Sequence, residues 1–229
     1  LLTNYPLIEY TEDISNNDRR TSIIRKVVKF VKDKAQPCSF QLIEDELVNK
    51  HGYDSDCISR ATNYASIVKY HRRSLIHLST LDWNQEKQLA LEATACDLFS
   101  RAIESGRLFA RVSNLLELEQ LPCLPNGLFW SKVLLAELLK KCDDFLILGN
   151  AQEAYVTRHN KYNIHNLETL VAEILRRDWS GAANHKKFEE ELVNTGITLK
   201  SLTRNMLSPE KVVTIKDGVV LLREMEQDA

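Results

Sequence analysis

The sequence predicts a mainly α-helical chain with small β-hairpins, laid out as three tandem modules over residues 1–80, 81–160 and 161–229. Three observations predict it. Ile24, Val27, Val28 and Val31 recur at i, i+3, i+4 and i+7, and Leu167, Leu170, Val171, Ile174 and Leu175 do the same, so each set lies on one helix face. The pair Asp217-Gly218 sits between the β-branched runs Val212-Val-Thr-Ile215 and Val219-Val-Leu-Leu222, a hairpin signal because glycine supplies the positive φ the turn requires. An order of helix, helix, helix and strand recurs along the chain, at a spacing of about 70 residues that exceeds the roughly 20 to 50 of solenoid repeats.

In the first module a helix runs from about Ser22 to Lys34 and stops before Pro37. Phe40, Ile43, Leu47 and Val48 mark a second, closed by His51-Gly52. Asp54 or Ser55 caps a third that carries Ile58, Ala61, Tyr64, Ala65 and Val68 inward, and the alternation of Ser74 to Leu78 predicts a strand.

In the second module Asp82, with Gln85 three residues on, predicts a capping-box start for a long helix through Leu89, Ala93, Cys96, Phe99 and Ile103, ended by Gly106. Val112 to Leu118 forms another helix and Pro122 and Pro125 break the chain. Trp130 to Lys141 forms a third, and Phe145 to Leu148 and Ala154 to Val156 flank Gly149-Asn150 as a hairpin over 145–156.

In the third module the Leu167 helix stops at Ser180-Gly181, a second carries Phe188, Leu192 and Val193 to Thr195-Gly196, and a third runs from Thr198 through Leu199, Leu202 and Met206 to Pro209. The hairpin over 211–222 closes the module. Ile24, Val28, Leu47, Ile174, Leu175, Leu192 and Leu202 are the expected core. Trp83, Trp130 and Trp179 lie near helix starts or junctions, where they either pack modules together or anchor their own.

At 44% hydrophobic and 27% charged residues, the 229-residue chain is too apolar for disorder and can bury a sizeable core. No apolar run approaches the roughly 18 residues a membrane span needs, and residues 1–10 lack the basic-then-apolar layout of a secretion signal. The first residue, Leu1, fits a fragment or trimmed chain. Cys38, Cys57, Cys96, Cys123 and Cys142 are odd in number and form no CxxC pair, so free thiols in a reducing intracellular compartment, cytoplasm or nucleus, are expected. The six histidines form no HxxxH or HExxH, so neither a metal nor any other cofactor is expected. With no P-loop, GxGxxG or GxSxG, neither catalysis nor a small-molecule substrate is expected; Glu44-Asp45-Glu46 and Glu189-Glu190-Glu191 are consecutive and spread around a helix.

The net charge of −2 hides an asymmetry. Asp18 to Arg73 holds twelve Lys/Arg against seven Asp/Glu, a surplus of +5 that leaves −7 for the remainder.

The first amphipathic helix, the entry Gln36-Pro37-Cys38-Ser39-Phe40 to helix two, and Thr214-Ile-Lys-Asp-Gly-Val-Val-Leu-Leu222 together resemble winged helix-turn-helix domains, including the type found in the delta subunit of RNA polymerase. The resemblance covers Ser22 to Leu78 and Asn166 to Leu222. It implies tandem winged helices in a non-catalytic DNA-binding regulatory or assembly module. The same fold also serves subunits that bind only proteins, so a scaffold within a multi-subunit complex is the alternative.

On the DNA reading, Lys69, Arg72 and Arg73 end the first module's third helix, and Arg60 lies earlier on it. Arg25 and Lys29 line the first helix opposite its apolar face. In the third module the same role falls to Lys200 and Arg204 on the third helix and Lys216 on the wing. Lysine and arginine in this mixture suit duplex phosphates, while the ordinary alternative for each is a solvated helix face. The second module's apolar third helix suits a contact with another protein subunit.

Overall fold

A computed structural model describes residues 19–53, 55–61, 64–118, 120–149, 154–158, 163–197 and 212–223. The described residues are roughly half helical and carry three small antiparallel sheets of three strands each.

The first unit contains α1 (Arg19–Lys34), β1 (Cys38–Ser39), α2 (Phe40–Ile43) continued by π-helical turns over Glu44–Lys50, α3 (Asp56–Ala61), β2 (Ile67–His71) and β3 (Ser74–His77). Ser39 starts α2 by accepting from the Leu42 N–H at 3.1 Å. The second unit follows a 3-10 turn (Leu78–Leu81) with α4 (Gln85–Glu104), β4 (Ala110–Arg111), a 3-10 helix (Val112–Glu117), α5 (Lys132–Leu139), β5 (Phe145–Leu148) and β6 (Tyr155–Arg158). The third contains α6 (Leu167–Trp179), β7 (Ala182–Asn184), α7 (His185–Asn194), β8 (Val213–Lys216) and β9 (Val219–Leu222). Each sheet has the same order: the short strand after the first helix pairs with the last strand of the hairpin, giving β1-β3-β2, β4-β6-β5 and β7-β9-β8.

Each of the first two sheets has both faces covered. Ile67 and Leu75 join the core of α1 with Val27, Val31, Ile43 and Ile58. Strand alternation sends Val68, Tyr70 and Ile76 to the opposite face, where they pack with Leu134, Leu135, Leu138 and Leu139 of α5 in the second unit. The second sheet repeats the device: Phe145 and Val156 stay with their own helices, while Leu148 and Tyr155 join Leu170, Ile174 and Phe188 of the third unit. The units therefore stack with shared cores. Because α5 packs between the first unit's sheet and the elements of its own unit, Val133 to Ala136, Leu138 and Leu139 are all buried. In the third unit Glu168, itself buried, accepts from the Val212 N–H at 2.7 Å and so ties the start of α6 to the approach to β8.

Several expectations need correction. The first module's third helix ends at Ala61, and Val68 and Lys69 belong to a strand. Ile67, Val68 and Tyr70 are β-branched or aromatic, which suits a strand, and the strand buries Val68 and Tyr70 in one core with α5. The long helix is capped by Asn84, which accepts from Lys87 N at 3.0 Å, whereas Asp82 takes a left-handed conformation at the end of the preceding 3-10 turn. Trp130 and Ser131 precede α5, and Val112–Glu117 is a 3-10 helix. Among the described side chains of α1 the fully buried positions are Val27 and Val31; Ile24 and Val28 flank them half-buried. Leu47, Ile174, Leu175 and Leu192 are buried, while Val193 is 51% exposed because α7 turns only one narrow face inward. The helix expected over 198–207, with Leu202, lies outside the described residues. Trp83 and Trp130 meet edge to face at 5.9 Å within the second unit, and Trp179 packs on Phe188 at 5.8 Å within the third, so all three anchor cores.

No helix among the described residues is long and apolar enough to cross a membrane. Cys38, Cys96, Cys123 and Cys142 are free thiols.

Candidate nucleic-acid interface

The first module's basic surplus lands on three elements of the first unit. Arg25 and Lys29 are exposed one turn apart on α1, and Arg60 is exposed in the last turn of α3. Arg72 and Arg73 are exposed too, but they form the tip between β2 and β3 and do not end a helix. Lys69 is half-buried on β2 opposite Leu75, on the sheet face turned toward its own core, and is poorly placed to reach a ligand. Lys216 is exposed beside Asp217-Gly218, at the corresponding tip of the third hairpin. Lys200 and Arg204 lie outside the described residues.

The tip is built without glycine. The register shifts between Lys69 and His71, adding a residue to β2, and the His71 N–H donates to Ser74 Oγ at 3.1 Å. The Arg73 carbonyl accepts from the Phe40 N–H at 3.0 Å, tying the tip to the start of α2. These contacts hold the backbone of both arginines while leaving their side chains in solvent.

Charge pairing separates these cations from others in the chain. Arg101 lies 2.6 Å from Asp97, Arg176 2.6 Å from Glu173, and Lys50 2.6 Å from Glu46. Among the described residues, none of Arg25, Lys29, Arg60, Lys69, Arg72, Arg73 and Lys216 has a carboxylate within 4.0 Å. Lys26, next to Arg25, instead donates to the Tyr53 hydroxyl at 2.7 Å, and Lys34 sits 5.0 Å from the centre of the Phe30 ring.

Sequence reasoning missed Phe129. It is 61% exposed, and its ring centre lies 5.6 Å from that of His71 and 5.8 Å from that of Tyr70. The Phe129 N–H donates to the Tyr70 hydroxyl at 3.0 Å, so the second unit delivers an aromatic to the base of the first unit's tip. The turn signal Pro125-Asn126-Gly127 was visible, with Asn126 and Gly127 both at positive φ. Its destination depended on a fold contact across 59 residues.

Cys38, Cys96 and Cys142 are poor nucleophiles. Burial raises the Cys38, Cys96 and Cys142 pKa values above the ordinary range, Cys142 furthest, with the Glu92 carboxylate adding to the effect there. No group of three or more His, Cys, Asp or Glu able to hold a metal occurs among the described residues.

Compared with known proteins, the chain matches no family model and no curated sequence.

Proposed function

We propose that the three units, spanning residues 1–80, 81–160 and 161–229, are tandem winged helices and that the chain is a non-catalytic DNA-binding component of a regulatory or assembly complex. The repeated order of helix, short strand, helix, further helical segment and hairpin, with the short strand pairing to the last one, supports the fold reading. In the third unit the residues at which the sequence places a further helix, 198–207, lie outside those described.

One observation carries the DNA reading: the first unit's hairpin tip presents Arg72 and Arg73 exposed, backbone-anchored and without a carboxylate partner among the described residues. Guanidinium groups at such a tip bind phosphate oxygens with little sequence preference, and Arg60, Arg25 and Lys29 extend the positive field of the same unit. This shifts the emphasis from a recognition helix to the wing. Affinity would come from the backbone, and base selection would need other residues.

The experiment is a salt titration of the whole chain against two unrelated duplexes. Phosphate neutralisation releases counterions, so log affinity should fall linearly with log salt, with similar slopes for both duplexes. A flat response would reject the reading.

A second reading has its own support. An exposed Phe129 ring against His71, which precedes Arg72 and Arg73 in the chain, gives an aromatic and arginine mixture of the kind enriched at protein interfaces, which favours a scaffold docked on another subunit through the junction of the first two units. Phe129→Ala separates the readings: it should barely change a salt slope set by phosphate contacts, but it would abolish docking of a protein anchored on that ring.

A further inference from the structure

A groove of about 190 Å³ lies where the end of α4, strand β4 and the turn after α7 meet, and no residue of the basic hairpin tip lines it. Three arginines line it: Arg101, Arg107 and Arg111. Arg101 is matched by Asp97 at 2.6 Å, whereas Arg107 and Arg111 have no carboxylate within 4.0 Å among the described residues. The groove is therefore left with a surplus of two positive charges. Like charges gathered around one small depression repel, and an anion seated between them relieves that repulsion.

The neutral lining narrows the donor set. The Ser105 and Thr195 hydroxyls already donate to the carbonyls of Ala102 and Leu192 at 2.8 and 2.9 Å. The Asn114 amide nitrogen has no hydrogen bond among the described residues, so the open donors are Asn114, Arg107, Arg111 and the Arg101 N–H groups that do not meet Asp97. Gly196 helps to place Arg111: a Cβ there would stand 3.1 Å from Arg111 Cδ, and its φ of +96° suits glycine. The stem of Arg111 thus crosses the turn after α7, joining a second-unit cation to a third-unit turn.

We propose that this groove binds a dianionic phosphate, as inorganic phosphate or as a phosphomonoester. A phosphomonoester carries about −1.5 to −2 at pH 7, which matches the surplus, and arginine forks fit its oxygens in pairs. The groove is smaller than the roughly 300 to 1,000 Å³ of sites that enclose drug-sized ligands, so it takes the phosphate group itself. A backbone phosphodiester carries one charge and must leave the site at both ends, which makes it the poorer fit. Phosphate binding here does not depend on duplex binding by the first unit.

The test is titration of the whole chain with inorganic phosphate, methyl phosphate and dimethyl phosphate, followed by calorimetry and by the arginine Nε–H signals in nitrogen-15 spectra. Inorganic and methyl phosphate should bind saturably and shift the Arg107 and Arg111 signals, dimethyl phosphate should bind at least tenfold more weakly, and affinity should drop as pH falls below about 6. Arg107→Gln, at an exposed position that the fold does not need, should weaken binding several-fold, and Arg107→Gln with Arg111→Gln should abolish it. Absence of a saturable response, equal binding of dimethyl phosphate, or undiminished binding by either variant would overturn the proposal.

Discussion

The hydroxyl of Ser131 donates to the backbone carbonyl of Tyr70 at 2.6 Å and accepts from the Leu134 N–H at 3.1 Å. One side chain thus caps α5 and fastens it to the first unit's hairpin, the element that ends in Arg72 and Arg73. Ser131→Ala should lower stability by about 1 to 2 kcal/mol, the usual cost of losing an N-cap plus an interior hydrogen bond. Urea unfolding measures it. A loss under about 0.5 kcal/mol, the range of an ordinary surface change, would contradict the double role.

The shared core makes a stronger demand at Leu138, which is fully buried between its own unit and the strand face of Val68 and Tyr70. Leu138→Ala should cost about 2 to 5 kcal/mol, as buried leucine truncations do. Amide exchange should accelerate in β2 as well as in α5. Acceleration confined to α5 would show that the two units do not stabilise each other.

His77 gives the fold a dependence on pH. Its Nδ1 accepts from the Ser79 N–H at 3.1 Å, which requires the neutral ring. Burial, assisted by the Lys32 charge, holds its pKa below the ordinary histidine value. The unfolded histidine takes its proton near pH 6.5, so below that the unfolded state binds more protons than the folded one and stability falls as pH drops toward the folded pKa. His77→Asn keeps a capping acceptor without the titration. Denaturation midpoints between pH 8 and pH 5 should therefore fall less steeply in the variant than in the parent; equal slopes would contradict the assignment.

How much of this was legible in the sequence depends on the range of the forces involved. The turn at Asp217-Gly218 was legible because its positive φ values, 50° and 76°, are demanded locally and those residues supply them. The turn at Arg72-Arg73 carries no such residue. Its strand is favoured by burial of Val68 and Tyr70 under α5, more than 60 positions further along the chain, so a helix extended from Ile58 was the natural reading. The short strands β1, β4 and β7 have two or three residues each, too few for alternation to register, and exist by pairing with distant hairpins. For the candidate site, composition exposed the surplus of charge in the first module. Which cations stand at a tip, which face inward as Lys69 does, and that Phe129 joins them follow only from the packing of one unit on the next.

The most direct test of the DNA reading is binding of a fluorescently labelled duplex across a salt series by the parent chain and by the Arg72→Glu, Arg73→Glu variant. Exposed charge changes typically cost under about 0.5 kcal/mol of stability, so the fold should persist. Each phosphate that an arginine neutralises adds about 0.9 to the slope of log affinity against log salt, so reversing both charges should make that slope shallower by roughly 2, equally for unrelated sequences. A parent without salt-sensitive affinity, or a variant that binds with the parent's slope, would contradict the account.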